Sequence, residues 1–178
     1  MLYQTQGIIL KKTDFGEFDR ILTVYTRSSG KISLLVQGVR KPKAKLKSQL
    51  SLFNLVDLMI APGRQIDRIV NALIIKDFSS IRHNVKFLAT LYCLTEIFES
   101  LVFAPEKDEN LWHFLMAVWA FFEDKPSVDL KFIINYFTER LLKELGYGQH
   151  QRDESIEFVQ NLIGRQIKSL NVFNQIIR

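Results

Sequence analysis

The chain has a single cysteine, Cys93, among its 178 residues. No internal disulfide can form, and a reducing, cytoplasmic setting is expected. No stretch approaches eighteen uninterrupted apolar residues, so a membrane-spanning helix is not expected. The start, Met1-Leu-Tyr-Gln-Thr-Gln, has neither a basic nor an apolar leader region, so no secretion signal is expected. Histidine is scarce. His83, His113 and His150 lie far apart, with no neighbours at metal-ligand spacing. Glycines 7, 16, 30, 38 and 63 are isolated turn residues, which excludes a phosphate-cradling glycine loop. Cys93 falls on the apolar face of a helical pattern, where a core role outweighs a nucleophilic one. No catalytic constellation emerges, no cofactor or metal is expected, and an enzyme is the least expected class.

What is present is a charge asymmetry. Residues 1–77 carry 13 Lys and Arg against 6 Asp and Glu, a net of +7. Residues 78–178 carry 11 against 13, a net of −2, which leaves +5 overall. From this balance the basic first half is expected to meet a polyanion and the near-neutral second half to meet protein. The hydropathy pattern changes at the same place. Five short strands are expected within residues 3–77. They comprise a run at Ile8–Leu10 broken by Lys11–Asp14, Ile21–Thr26, the segment after the Arg27–Gly30 loop, Leu52–Ile60, and Ile66–Ile75 with Ile69, Leu73 and Ile75 on one face. Five short strands that close to hide their edges suit a barrel of the oligonucleotide-binding (OB) type.

The third strand alternates Ile32, Leu34 and Val36 against Ser33 and Gln37 and ends at Gly38. Lys41, Lys43, Lys45 and Lys47 then recur at period two, with Arg40 beside them. Pro42 disfavours helix at Lys41, so an extended segment with one row of positive charge is expected. Such a row suits a phosphate backbone, which releases counterions on neutralisation. A solvated, mobile loop is the competing reading of the same residues.

From residue 79 apolar positions recur at three and four. Val85, Leu88, Ala89, Tyr92, Cys93, Glu96 and Ile97 trace one helix face, and Pro105 stops that helix. A second, aromatic-rich helix spans 110–123. A third is capped by Ser127, with Asp129 in its first turn, and ends at Gly146. A fourth runs from Ser155 to Ile163, and a fifth begins near 169. The expected architecture is α+β, with a five-stranded OB barrel over 1–78 and a C-terminal α-helical bundle over 79–178.

Several blocks resemble the RecO family of bacterial recombination-repair mediators. They are Asp14-Phe-Gly-Glu-Phe-Asp-Arg20, Thr23-Val-Tyr-Thr26, Gly30-Lys-Ile-Ser33 and Gln37-Gly-Val-Arg-Lys-Pro-Lys-Ala-Lys-Leu46. Glu139-Arg-Leu-Leu-Lys-Glu-Leu-Gly-Tyr-Gly148 and Ile163-Gly-Arg-Gln-Ile-Lys-Ser169 followed by Phe173 continue the match in order. The resemblance implies a barrel that binds single- and double-stranded DNA and a protein that anneals complementary strands. It further implies that the protein works with RecR to help RecA displace single-strand binding protein, at the nucleoid during repair. Many members carry a four-cysteine zinc module after the Leu-Gly-Tyr block. With no cysteine after Cys93, that module is expected to be absent.

The DNA-binding candidates are Arg40, Lys41, Lys43, Lys45 and Lys47, extended by Arg20, Arg27, Lys31 and Arg64, with Tyr25 as a stacking aromatic or a core residue. The acidic tail of single-strand binding protein needs an apolar pocket with a cation at its rim. In the third helix Lys131, Arg140 and Lys143 lie among Phe132, Tyr136 and Phe137, and Tyr136, Arg140 and Lys143 share one stripe. Two alternatives stay open: a protein adaptor whose barrel scaffolds a repair complex, and an RNA-binding barrel protein.

Overall fold

The computed structural model describes residues 1–78, 83–103, 105–123, 129–148, 150–152 and 154–177. The chain forms two compact units. The first comprises residues 1–78 with 105–112, and the second comprises the remaining helical residues.

In the first unit, β1 (Tyr3–Phe15), β2 (Asp19–Thr26), β3 (Gly30–Val36), β4 (Leu55–Ala61) and β5 (Asp67–Lys76) close a barrel in the order β1-β2-β3-β5-β4. Neighbours are antiparallel except β3 and β5, whose short parallel pairing (Leu34 opposite Asp67, Leu35 opposite Arg68) completes the ring. Inward positions alternate as a barrel requires: Leu22 and Val24, Leu34 and Val36, and Val56, Leu58 and Ile60 all reach the core.

Two strand expectations change. The Ile8–Leu10 run is the middle of one 13-residue strand that continues through Lys11–Asp14. Its polar half pairs with β2, which β3 flanks on its other side from Arg20 to Thr26, so cross-strand bonding outweighs composition. A register shift between Ile9 and Lys11 bends β1 so that it serves both β2 and β4. In β5 the inward pair is Ile69 and Ala72, whereas Leu73 and Ile75 are exposed. The register slips between Met59 and Ile60, so the alternation changes face after Ile69.

In the second unit α2 (Val85–Leu101) is the central helix, packed against α4 (Leu130–Glu144), α5 (Ser155–Ile163) and α6 (Lys168–Ile177). It is buried on most sides, Cys93 included, although Val85 and Tyr92 face solvent. Burial pushes the Cys93 thiol up to about 12, which fits an inert core residue. The helix ends at Leu101, ahead of Pro105. The helix α3 (Glu109–Glu123) follows. The cap of α4 is Asp129, whose carboxylate accepts from the Lys131 N–H at 2.9 Å. Ser127, the expected cap, lies outside the described residues. Gly146, in the left-handed region at φ 81°, closes α4: its N–H donates to the Lys143 carbonyl and that of Tyr147 to Leu142.

Candidate nucleic-acid interface

The lysine segment is not extended. Residues 37–45 form successive turns and lead into α1 (Leu46–Gln49), with Lys45 itself in the helical region. The turns are closed by N–H bonds from Lys41 to the Gly38 carbonyl, Ala44 to Lys41 and Lys47 to Ala44. Pro42 is accommodated because a turn asks only for its fixed φ. Tertiary packing decides the outcome. Val39 and Leu50 are buried in the barrel core, and Leu46 rests against it. Anchored there, the segment leaves Lys41, Lys43, Lys45 and Lys47 exposed. The result is a compact cationic patch in place of a straight row.

That patch is knitted to the tip of the β1–β2 hairpin. The Arg40 N–H donates to the Phe18 carbonyl at 2.9 Å, Arg40 Nη1 to the Gly16 carbonyl at 3.2 Å, and the Gly38 N–H to Asp19 Oδ1 at 2.7 Å. Arg20 Nε lies 2.7 Å from Asp14 Oδ1 and Arg40 Nη2 3.4 Å from Asp14 Oδ2, so one carboxylate joins two guanidinium groups. The hydrogen bond from Arg20, helped by the Arg40 charge, holds the Asp14 carboxyl below the usual carboxylate range. The Lys41 ammonium sits 5.4 Å from the centre of the Phe18 ring. Phe15 and Phe18 are 51% and 41% exposed in this tip. Sequence reasoning missed both. Two aromatics in a four-residue polar turn were the signal that could have found them.

The structure therefore brings together Arg20, Arg40 and Lys41, with Lys43, Lys45 and Lys47 following on. Arg27 belongs elsewhere, about 20 Å along β2 from Arg20 at a strand's rise per residue. It pairs with Glu109 at 3.3 Å. Lys31, paired across from Tyr25, shares that far end of β2. Arg64 is exposed between β4 and β5 and makes no ion pair among the described residues. Tyr25 is not a surface platform: it is 1% exposed, with its ring stacked 6.3 Å from that of Trp112. Burial, then the Asp108 and Glu109 charges, pushes its phenol well above the ordinary range, as a core tyrosine requires.

In the helical unit Tyr136 is exposed and stacks on Phe132 with ring centres 6.2 Å apart. Arg152 lies over both rings at 4.7 and 5.4 Å and pairs with Glu139 at 2.9 Å. Arg140 is held by Glu144, one helical turn on, at 2.9 Å. Lys143 is exposed and makes no ion pair among the described residues. Phe132 and Arg152 complete a cluster of which the sequence stripe named only part. Among the described residues no group of three or more His, Cys, Asp or Glu side chains could hold a metal ion. None of the described helices is long and apolar enough to cross a membrane.

A closed five-stranded barrel with a basic, aromatic-tipped edge, followed by helices, defines an OB-fold protein with a helical extension. Residues 1–78 match the family model described as recombination protein O N terminal. The DNA repair protein RecO of Prosthecochloris aestuarii is 33% identical over 151 residues, covering 83% of this chain and 56% of that protein. That of Acaryochloris marina is 36% identical over 110 residues, 62% of this chain and 38% of the other. That of Dehalococcoides mccartyi is 30% identical over 151 residues, 85% and 59%. The chain belongs to the RecO family. It spans about half the length of the curated relatives it matches.

Proposed function

We propose that this protein is a recombinational DNA-repair mediator that binds single- and double-stranded DNA and anneals complementary strands. With RecR, it helps load RecA onto single strands coated by single-strand binding protein. The observation that carries this reading is the cationic patch anchored to the barrel beside the hairpin tip. Four exposed lysines with Arg20 and Arg40 supply sequence-independent phosphate contacts, which is what annealing requires. The mediator acts by binding, without turnover chemistry or a cofactor. Family membership supports the same role, since the relatives are named as DNA repair proteins.

A second reading, a protein adaptor with incidental DNA contact, draws on the exposed apolar residues Val70, Leu73, Ile74 and Ile75 of β5. Salt titrations of binding to fluorescent single-stranded DNA, duplex DNA and single-stranded RNA, together with a strand-annealing assay, separate the readings. The mediator binds both DNA forms with a steep salt dependence and accelerates annealing. The adaptor binds neither DNA nor RNA, and an RNA-binding barrel prefers RNA.

A further inference from the structure

We propose that the tip of the β1–β2 hairpin is a clamp for one unpaired nucleotide. In it Phe18, with Phe15 in the same turn, stacks the base, and Arg20 and Arg40 take the adjoining phosphate in place of the Asp14 carboxylate. This deepens the DNA-binding reading and rests on it.

Three observations converge on the tip. Phe15 and Phe18 are both substantially exposed within four residues of a turn that glycine shapes at Gly16 (φ 57°). Each ring keeps a large part of its surface open, and an open aromatic face among cations stacks any base. The Lys41 ammonium over the Phe18 ring adds a cation where a stacked nucleotide would bring its phosphate. Next, the geometry is preset. The Arg40 backbone and guanidinium are both bonded to the tip, and Asp19 accepts the Gly38 N–H, so three hydrogen bonds tie the segment to the hairpin.

The third observation is Asp14 itself. Its two oxygens engage two guanidinium groups, one each, as a bridging phosphate would. All three side chains are partly open to solvent, at 53% for Asp14, 27% for Arg20 and 34% for Arg40. Exposed ion pairs of this kind hold weakly, so a phosphate can displace the carboxylate. Asp14 thus keeps both arginines ordered while the clamp is empty and lowers its affinity for anions.

The test uses the full chain with a labelled oligothymidylate and, separately, a blunt DNA duplex. Phe18→Ala should weaken single-strand binding by about fivefold or more, the usual loss for one stacked base, and leave duplex affinity and the salt slope unchanged. Phe18→Tyr should bind as the parent does. Asp14→Asn should tighten binding to both forms about two- to fivefold, the strength of an exposed ion pair, and adding Arg20→Ala should abolish that gain. Circular dichroism melts confirm that each variant is folded. The clamp is overturned if Phe18→Ala binds single strands like the parent. It is also overturned if Asp14→Asn weakens binding, which would make the carboxylate a scaffold only. Loss of acidic-peptide capture in the Phe18 variant with DNA binding intact would assign the tip to protein and overturn it as well. A parent chain that binds neither DNA overturns the underlying DNA reading instead.

Discussion

Glu96 of α2 holds Ser169 of α6 twice: its Oε2 accepts from the Ser169 N–H at 2.8 Å and from Ser169 Oγ at 2.7 Å. Its other oxygen accepts from the Lys168 N–H at 3.1 Å and from Arg165 Nη1 at 2.7 Å. A carboxylate from one helix thus caps the N-terminus of another, 73 residues away in sequence. Burial alone would raise the Glu96 carboxyl. The bonds from Ser169, Arg165 and Lys168 outweigh it and hold the group below its ordinary value of 4.5.

The first prediction follows from that sign. A folded-state value below the unfolded one contributes stability that is complete above the ordinary glutamate range and lost as pH falls through the folded value. Glu96→Gln should cost about 1–2 kcal/mol at neutral pH, the lower part of the range for hydrogen bonds to a charged group, because the carboxylate is only part-buried and water screens it. The gap between variant and parent should narrow in acid. Urea midpoints measured across that range check it, and a pH-independent gap would assign the effect to packing.

The lysine patch gives the second prediction. Replacing Lys41, Lys43, Lys45 and Lys47 together with alanine should weaken DNA binding. The salt slope should fall by up to about 0.9 per lost contact on duplex and about 0.7 on a single strand. The melting temperature should hardly move, because Val39, Leu46 and Leu50 anchor the segment and the lysine heads do not. Unchanged affinity would leave the lysines as a solubilising patch.

Glycine at position 30 is the third. It lies at φ 65°, and a Cβ there would run into the Glu106 backbone. Gly30→Ala should therefore lower stability by about 3 kcal/mol or more, from left-handed strain plus collision. Gly16→Ala is the control. Also left-handed, it meets nothing within 4 Å and should cost only the backbone part, about 1–2 kcal/mol. Equal urea midpoints for the two variants would remove the collision from the account.

These residues also mark where the sequence could be read. The β-branched and aromatic content of β2, the alternation in β3, and the helix stops at Gly146 and Gly164 rest on neighbours within a few positions, and all were legible. The path of the lysine segment depends on where Val39, Leu46 and Leu50 find the core, which period-two spacing does not encode. For Tyr25 the sequence leaves stacking and core roles open, because its covering ring, Trp112, is 87 positions away. In β5 the register slip opposite Met59 and Ile60 turned Leu73 and Ile75 outward beyond Ile69, and alternation alone carries no trace of it. In the candidate site the cations could be listed from sequence. Asp14, which joins two of them, needed the hairpin's geometry, whereas the two aromatics of the tip were already marked by their spacing across Gly16 and Glu17.

The last prediction concerns the acidic tail of single-strand binding protein, a partner under the proposed function. Such a tail presents carboxylates and an apolar end, and it needs a desolvated apolar surface with an available cation beside it. The barrel is basic, but DNA would compete there. On α4 the stacked Phe132 and Tyr136 rings supply exposed apolar surface in the helical unit. The cations around them differ, with Arg152 over the rings and Arg140 and Lys143 one and two turns further along α4. Arg140 is engaged by Glu144 and Arg152 by Glu139, whereas Lys143 makes no ion pair among the described residues. Tyr136→Ala with Lys143→Ala should weaken binding of a labelled tail peptide about tenfold or more, as loss of an anchor does. Arg140→Ala alone should cost less, since its guanidinium must first leave Glu144. Naked-DNA affinity should stay at the parent's value in both variants. Peptide anisotropy titrations decide it: if the double variant binds the tail as tightly as the parent, this face of α4 is not the receptor.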